Sequence, residues 1–190
     1  GEKELTGMGV SYCATCDGAF FRNRTVAVVG GGNVALEDAL FLARGCSKVY
    51  LIHRRDELRG EKILQEQVKE TENIEILYSH QVSAIEGSGQ VTSVKLYDKK
   101  ADSTTDLTVD GVFIAVGIDP NTEIYRGLAE MDESGFICAG EDGVTSMPGL
   151  FAAGDLRTKQ LRQVITAAAD GANCVTSVER YLVTLHAKQD

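Results

Sequence analysis

Residues 24–59, RTVAVVGGGNVALEDALFLARGCSKVYLIHRRDELR, read as a complete strand–turn–helix–strand unit, and few folds accommodate that order. Residues 25–29 are a continuous apolar, β-branched run that stops at three glycines, as a buried parallel strand does. Gly30, Gly32 and Ala35 occupy the three positions of a G-x-G-x-x-G/A turn. There the missing side chains allow a tight bend, a close approach of backbone to a pyrophosphate, and a helix seated directly on its strand. Gly31 and Asn33 complete the corner, and the free N–H groups opening the helix favour an anion. Asn33 is suited to cap that helix, Glu37 and Asp38 put acid in its early turns, and Arg44-Gly45 can end it.

The second strand, residues 48–52, delivers His53, Arg54 and Arg55 at its end. A site for NAD would offer a carboxylate there to the ribose hydroxyls. Guanidinium groups instead bind a 2′-phosphate through bidentate, charge-assisted bonds, so the nucleotide expected is NADPH. Arg59, placed on the next helix expected over residues 56–70, can close on the same phosphate. His53 reads as an orienting or packed residue and not as a catalyst.

The rest of the chain extends this pattern. Residues 74–78 continue a parallel sheet, and residues 81–86, 91–97 and 105–109 alternate as a three-stranded antiparallel meander laid over it. Residues 112–116 return as a buried strand bounded by Gly111 and Gly117, and Gly117 joins the nucleotide-binding candidates. The fold class expected is therefore α/β: a Rossmann-like, three-layer ββα domain. The turn at residues 118–121 marks a boundary, giving domains at 1–120 and 121–190. In the second, a short helix and a strand at 136–139 precede an apolar strand at 148–155, which delivers Gly154-Asp155. A long helix follows over 160–185, with Ala167 to Ala169 near its start.

Residues 1–12 read as a polar lead-in to Cys13-Ala-Thr-Cys16-Asp17-Gly18. A C-x-x-C pair is either half of a zinc site or a redox dithiol. Zinc needs two more ligands, and there is no second C-x-x-C, while His53, His80 and His186 are scattered; the neighbouring nicotinamide-type unit favours the redox reading and no bound metal. Asp17 can serve as proton donor and acceptor when the disulfide opens and closes, or as a turn former before Gly18. The other cysteines of the five, Cys46, Cys138 and Cys174, read as buried free thiols. A net charge of −9 argues against nucleic acid or an anionic membrane as partner, and no apolar run approaches a membrane span; the expected location is cytoplasmic.

These motifs together resemble the low-molecular-weight thioredoxin reductases, over essentially the whole chain: Cys13-Ala-Thr-Cys16-Asp17, Gly30 to Ala35, His53-Arg54-Arg55 with Arg59, Gly154-Asp155, and Arg162-Gln163 entering the last helix. The resemblance implies that NADPH reduces FAD, FAD reduces the cysteine pair, and the pair reduces thioredoxin. It implies that Cys16 lies against the flavin, that Cys13 attacks the thioredoxin disulfide, and that Asp17 is the acid/base. Asp155 would bind the ribityl–pyrophosphate part of FAD, with Arg162, Gln163 and Val164 near its ring, whereas Gly154-Asp155 read without the family is a strand-ending turn. Ala169 departs from the glycine that relatives commonly carry before Asp170-Gly171. The family's first glycine motif, which holds the FAD adenylate, has no counterpart here, and the chain opens on Gly1; it is expected to be a fragment, inactive alone, of a protein that is a homodimer at full length. A related reductase serving a peroxiredoxin-type acceptor, or a non-catalytic NADPH-binding redox module, would use the same residues.

Overall fold

The computed structural model describes residues 1–187. These divide into two compact units, one spanning Gly1–Gly117 and the other beginning at Ile118; the last three residues of the expected 121–190 segment lie outside the described residues.

The first unit is built on a five-stranded, all-parallel sheet in the order β1 (Val10–Ser11), β8 (Gly111–Ala115), β2 (Thr25–Gly30), β3 (Lys48–His53), β4 (Ile74–Tyr78). The continuous apolar runs of β2, β3 and β8 exist because both faces of this sheet are covered. Val26, Val28, Val49, Leu51 and Phe113 point to one side, where they meet Ala35, Leu36, Ala39 and Leu42 of α2 (Asn33–Ala43) and Val68 of α3 (Lys62–Glu70). Ala27, Ile52 and Val112 point to the other. That side is covered by an antiparallel meander of β5 (His80–Glu86), β6 (Ser93–Asp98) and β7 (Ser103–Thr108), which contributes Ile85, Val94 and Leu96. Period-two alternation thus persists along strands whose sequence shows no polar face.

Three local expectations change. Residues 1–12 are more than a lead-in: Val10 and Ser11 pair with Val112 and Phe113 as an edge strand, and Leu5 and Val10 are buried. Two residues are too few to show a period. The helix expected over 56–70 starts only at Lys62, so Arg59 lies before it. Its first six residues are diverted because the N–H groups of Arg59 and Gly60 donate to Gly31 O at 2.7 and 3.1 Å, wrapping the segment around the glycine corner. Asn33 is the first helical residue and not the cap; its side chain instead accepts from the Glu61 N–H at 2.8 Å and donates to Glu61 Oε1 at 3.1 Å, closing the same loop.

In the second unit the expected strands at 136–139 and 148–155 reduce to isolated bridges, Ile137 to Met131 and to Arg157, and Val144 to Phe151. The short helix is a single 3-10 turn, Glu123–Tyr125. The long helix α4 runs Val164–His186 and starts later than expected, because Gln163 and Thr166 form a reciprocal capping box that fixes its first turn. No described helix is long and apolar enough to cross a membrane.

Candidate functional site

The carboxyl ends of β2, β3 and β8 open into a cleft of about 590 Å³, at the point where the chain leaves β2 for β3 on one side while β8 flanks the other. Ligands of open α/β sheets bind at such a point. Gly30, Gly31, Gly32, Asn33, His53, Arg54, Arg59 and Gly117 all line it, as do His80, Gln81 and Val82 from the meander, which the sequence did not single out. The corner has no room for side chains at Gly30 and Gly31, whereas Gly32 faces open space. A Cβ on Gly30 would stand 2.3 Å from Ala115 O and 2.6 Å from Ala35 Cβ, so Ala35, fully buried, acts beneath the turn and not in the cleft. A Cβ on Gly31 would stand 2.3 Å from His53 Nδ1.

His53 is therefore the packing partner of the glycine turn. It is 5% exposed, and its Nε2 is buried with no hydrogen-bond partner. Burial, and then the charges of Arg59 and Arg55, hold the imidazole below its ordinary pKa against the nearby backbone carbonyls of Glu57 and Gly30, which pull the other way, so the ring is neutral at neutral pH. The cations around it are disposed unequally. Arg54 and Arg59 line the cleft; Arg55 is exposed and is not among the lining residues. Lys99 Nζ donates to Arg54 O at 3.2 Å, tying the arginine-bearing segment to the β6–β7 hairpin.

In the same unit Cys13 and Cys16 form a disulfide around the first turn of α1 (Ala14–Asp17), with the Cys16 N–H donating to Cys13 Sγ at 3.1 Å. Ala14 anchors this turn in the core, while Cys16 is exposed. Asp17 ends it and accepts a 2.6 Å hydrogen bond from Ser11.

In the second unit, Gly154 opens a 3-10 turn with φ +80°, a conformation that suits glycine, and Asp155 is exposed beside it. Arg162 is stacked 4.1 Å over the Phe136 ring, and its Nε donates to Asp155 O at 3.4 Å. Gln163 caps α4, and Val164 and Ile165 are 88% and 75% exposed. A bare carboxylate next to uncovered aliphatic side chains suits a ligand with a polar chain and an apolar ring, so FAD fits this edge. No local motif announces what holds the turn. Asp170 does so: it accepts from Gly154 N–H at 2.9 Å, Arg157 Nε at 2.8 Å, Arg157 Nη2 at 2.6 Å and Lys159 Nζ at 2.7 Å. These partners lie 11 to 16 residues away, beyond any local pattern.

Residues 1–171 match the family described as pyridine nucleotide-disulphide oxidoreductase. Among curated proteins, the chain is 49% identical to a thioredoxin reductase of Coxiella burnetii over 97% of its own length and 61% of that protein's. It is 46% identical to one of Listeria innocua, over 97% and 58%. The crystal structure of thioredoxin reductase from Streptococcus pyogenes superposes with a TM-score of 0.88 at 42% identity, covering 93% of this chain and 58% of that one. The chain thus spans about three fifths of the length of the relatives it matches.

Proposed function

The chain belongs to the pyridine nucleotide-disulphide oxidoreductase family, and from that premise we propose that it carries the NADPH cleft and the redox disulfide of a thioredoxin-disulfide reductase. In this reading residues 1–120 form the NADPH-binding domain and residues 121–190 contribute to an FAD-binding one. The observation that carries it is the joint presence, in one compact unit, of a side-chain-free glycine corner facing two arginines and a closed Cys13–Cys16 pair. The names of the relatives supply the acceptor, thioredoxin.

Each element then has a task. The amides of Gly31, Gly32 and Asn33 at the start of α2 receive the pyrophosphate, where aligned backbone dipoles favour negative charge. Arg54 and Arg59 clasp the 2′-phosphate. Neutral His53 shapes the floor of the turn without adding charge. Gly154, Asp155 and the exposed start of α4 hold FAD, which when bound supplies the two-electron relay between nicotinamide and disulfide. The net reaction is NADPH, a proton and a disulfide giving NADP⁺ and two thiols. Once reduced, one cysteine thiolate attacks the acceptor disulfide and displaces a thiolate; the second cysteine then attacks the mixed disulfide, restoring the Cys13–Cys16 bond and releasing the acceptor as a dithiol. Asp17 takes the proton from the attacking thiol and returns it to the departing one.

The test uses the full-length protein. Cys16→Ser is expected to abolish NADPH-dependent reduction of thioredoxin while leaving NADPH binding, read by calorimetry, intact. Retained reduction refutes the redox assignment, and an intact enzyme that binds NADH as tightly as NADPH refutes the nucleotide assignment.

A further inference from the structure

We propose that Ser11 is a positioning residue for proton transfer at the cysteine pair, its hydroxyl holding the Asp17 carboxylate in place. This rests on Asp17 acting as the acid/base, and extends it to a side chain that nothing in the motif announces. Ser11 closes β1 and is 5% exposed, so its hydroxyl is fixed by the sheet register that pairs it with Phe113. Three polar groups surround that hydroxyl. The Cys13 N–H donates to Ser11 Oγ at 3.1 Å, Asp17 Oδ2 lies 2.6 Å from it, and Cys13 O lies 3.3 Å away. A serine hydroxyl has a single proton to give. The short contact to an ionisable carboxylate takes it, because a charge-assisted bond is about twice as strong as a neutral one.

The outcome is a directed chain, from the Cys13 N–H to Ser11 Oγ–H to Asp17 Oδ2. It joins the backbone of the first cysteine to the carboxylate at the far end of the C-x-x-C turn. Among the described residues Asp17 Oδ1 has no hydrogen-bond partner, so one carboxylate oxygen is anchored and the other is left for a proton. Were Ser11 present only to satisfy the Cys13 amide, the same acceptor geometry would serve with its hydroxyl proton directed elsewhere.

In the reaction, a cysteine thiol gives its proton to Asp17 Oδ1 as its sulfur attacks one sulfur of an acceptor disulfide, forming a mixed disulfide and breaking the acceptor S–S bond, while the other acceptor sulfur leaves as a thiolate and takes the proton of the second cysteine. The second cysteine sulfur then attacks the mixed disulfide, closing Cys13–Cys16, and Asp17 hands its proton to the departing acceptor sulfur. Two thiols are oxidised, one disulfide is reduced, and no further redox partner enters. The Ser11 bond fixes one carboxylate oxygen of Asp17, so its loss leaves the other free to swing away from the sulfurs and slows the proton hand-over.

The assay uses this chain, reduced with a phosphine, with glutathione disulfide as the probe. Closure of Cys13–Cys16 is acid-quenched and followed by mass spectrometry at neutral pH, so neither NADPH nor FAD is involved. Ser11→Ala is expected to slow closure roughly tenfold, the size that loss of one hydrogen bond to a charged group gives. Ser11→Thr, which keeps the hydroxyl, restores the wild-type rate, and in an Asp17→Asn background Ser11→Ala has no further effect. An unchanged rate in Ser11→Ala, where Asp17→Asn does slow closure, overturns the role of Ser11 alone. A loss of the same size in the Asp17→Asn background shows a merely structural serine and also overturns it. An unaltered rate in Asp17→Asn overturns the acid/base assignment of Asp17 and this inference with it.

Discussion

Replacing Asp170 with Asn tests how the second unit holds the Gly154 turn. The carboxylate is buried with the side chains of Arg157 and Lys159, each 7% exposed, and it accepts four hydrogen bonds. Asparagine keeps the shape but removes the charge, and it turns an NH₂ group toward donors whichever way it flips. Two cations are then left buried without their shared anion, which costs about 3–5 kcal/mol. With a urea m-value of about 2 kcal/mol per molar, that lowers the unfolding midpoint by roughly 1.5–2.5 M. Lys159→Met is the control: Asp170 keeps both Arg157 bonds and the Gly154 amide, and the loss is about 1–2 kcal/mol. Hydrogen exchange at the Gly154 amide localises the effect and should accelerate far more in Asp170→Asn. The pH dependence has a definite sign. Hydrogen bonds from Arg157, with those from Lys159 and Gly154, hold the Asp170 carboxyl well below the ordinary carboxylate range. A depressed folded-state pKa gives stability that is complete above the unfolded value of 3.8 and is lost as pH falls below it. The wild type should therefore lose its advantage over Asp170→Asn in strong acid. If Lys159→Met costs as much as Asp170→Asn, or the difference between wild type and Asp170→Asn does not shrink in acid, the account of a shared anion is wrong.

Other outcomes follow from the cleft and from α2. Arg54→Ala and Arg59→Ala should each weaken NADPH binding by about 1.5–3 kcal/mol while barely touching NADH, whereas Arg55→Ala, outside the cleft lining, should do less; titration calorimetry with both nucleotides distinguishes the three. Gly31→Ala forces a Cβ to within 2.3 Å of His53 Nδ1, so it should displace the ring and abolish measurable nucleotide binding, and normal affinity in that variant would show the corner to be pliable. Burial, with Glu37 beside it, raises Asp38 from 3.8 to about 6. A raised folded-state pKa favours the fold below the unfolded value, and that contribution is lost as pH climbs through about 6. Asp38→Asn should therefore stabilise the chain at neutral pH, by at most roughly 3 kcal/mol, and leave it unimproved below pH 4, as thermal melts at the two pH values would show.

The sequence by itself determined the parts whose causes are local. The strand–glycine–helix–strand unit was legible because a buried parallel strand, a side-chain-free corner and an amphipathic helix each leave a pattern within a few residues. The same holds for the meander, whose alternation and polar turns sit in consecutive segments, and for the C-x-x-C pair. The arginines were legible as a cluster, but their division was not. Arg54 and Arg59 reach the cleft because the segment after β3 is pulled onto Gly31 O, a contact across 28 residues that breaks the expected helix.

Tertiary structure alone decided the groups that work at a distance. His53 became the packing partner of Gly31 through the pairing of β2 with β3, Ser11 met Asp17 because a two-residue strand joined the sheet edge, and Asp170 reached Gly154, Arg157 and Lys159 from the far helix. In each case the deciding term is a buried polar group that must find a partner, or a glycine that must have a neighbour. Local propensity encodes neither, since the partner is chosen only when separate segments are brought together.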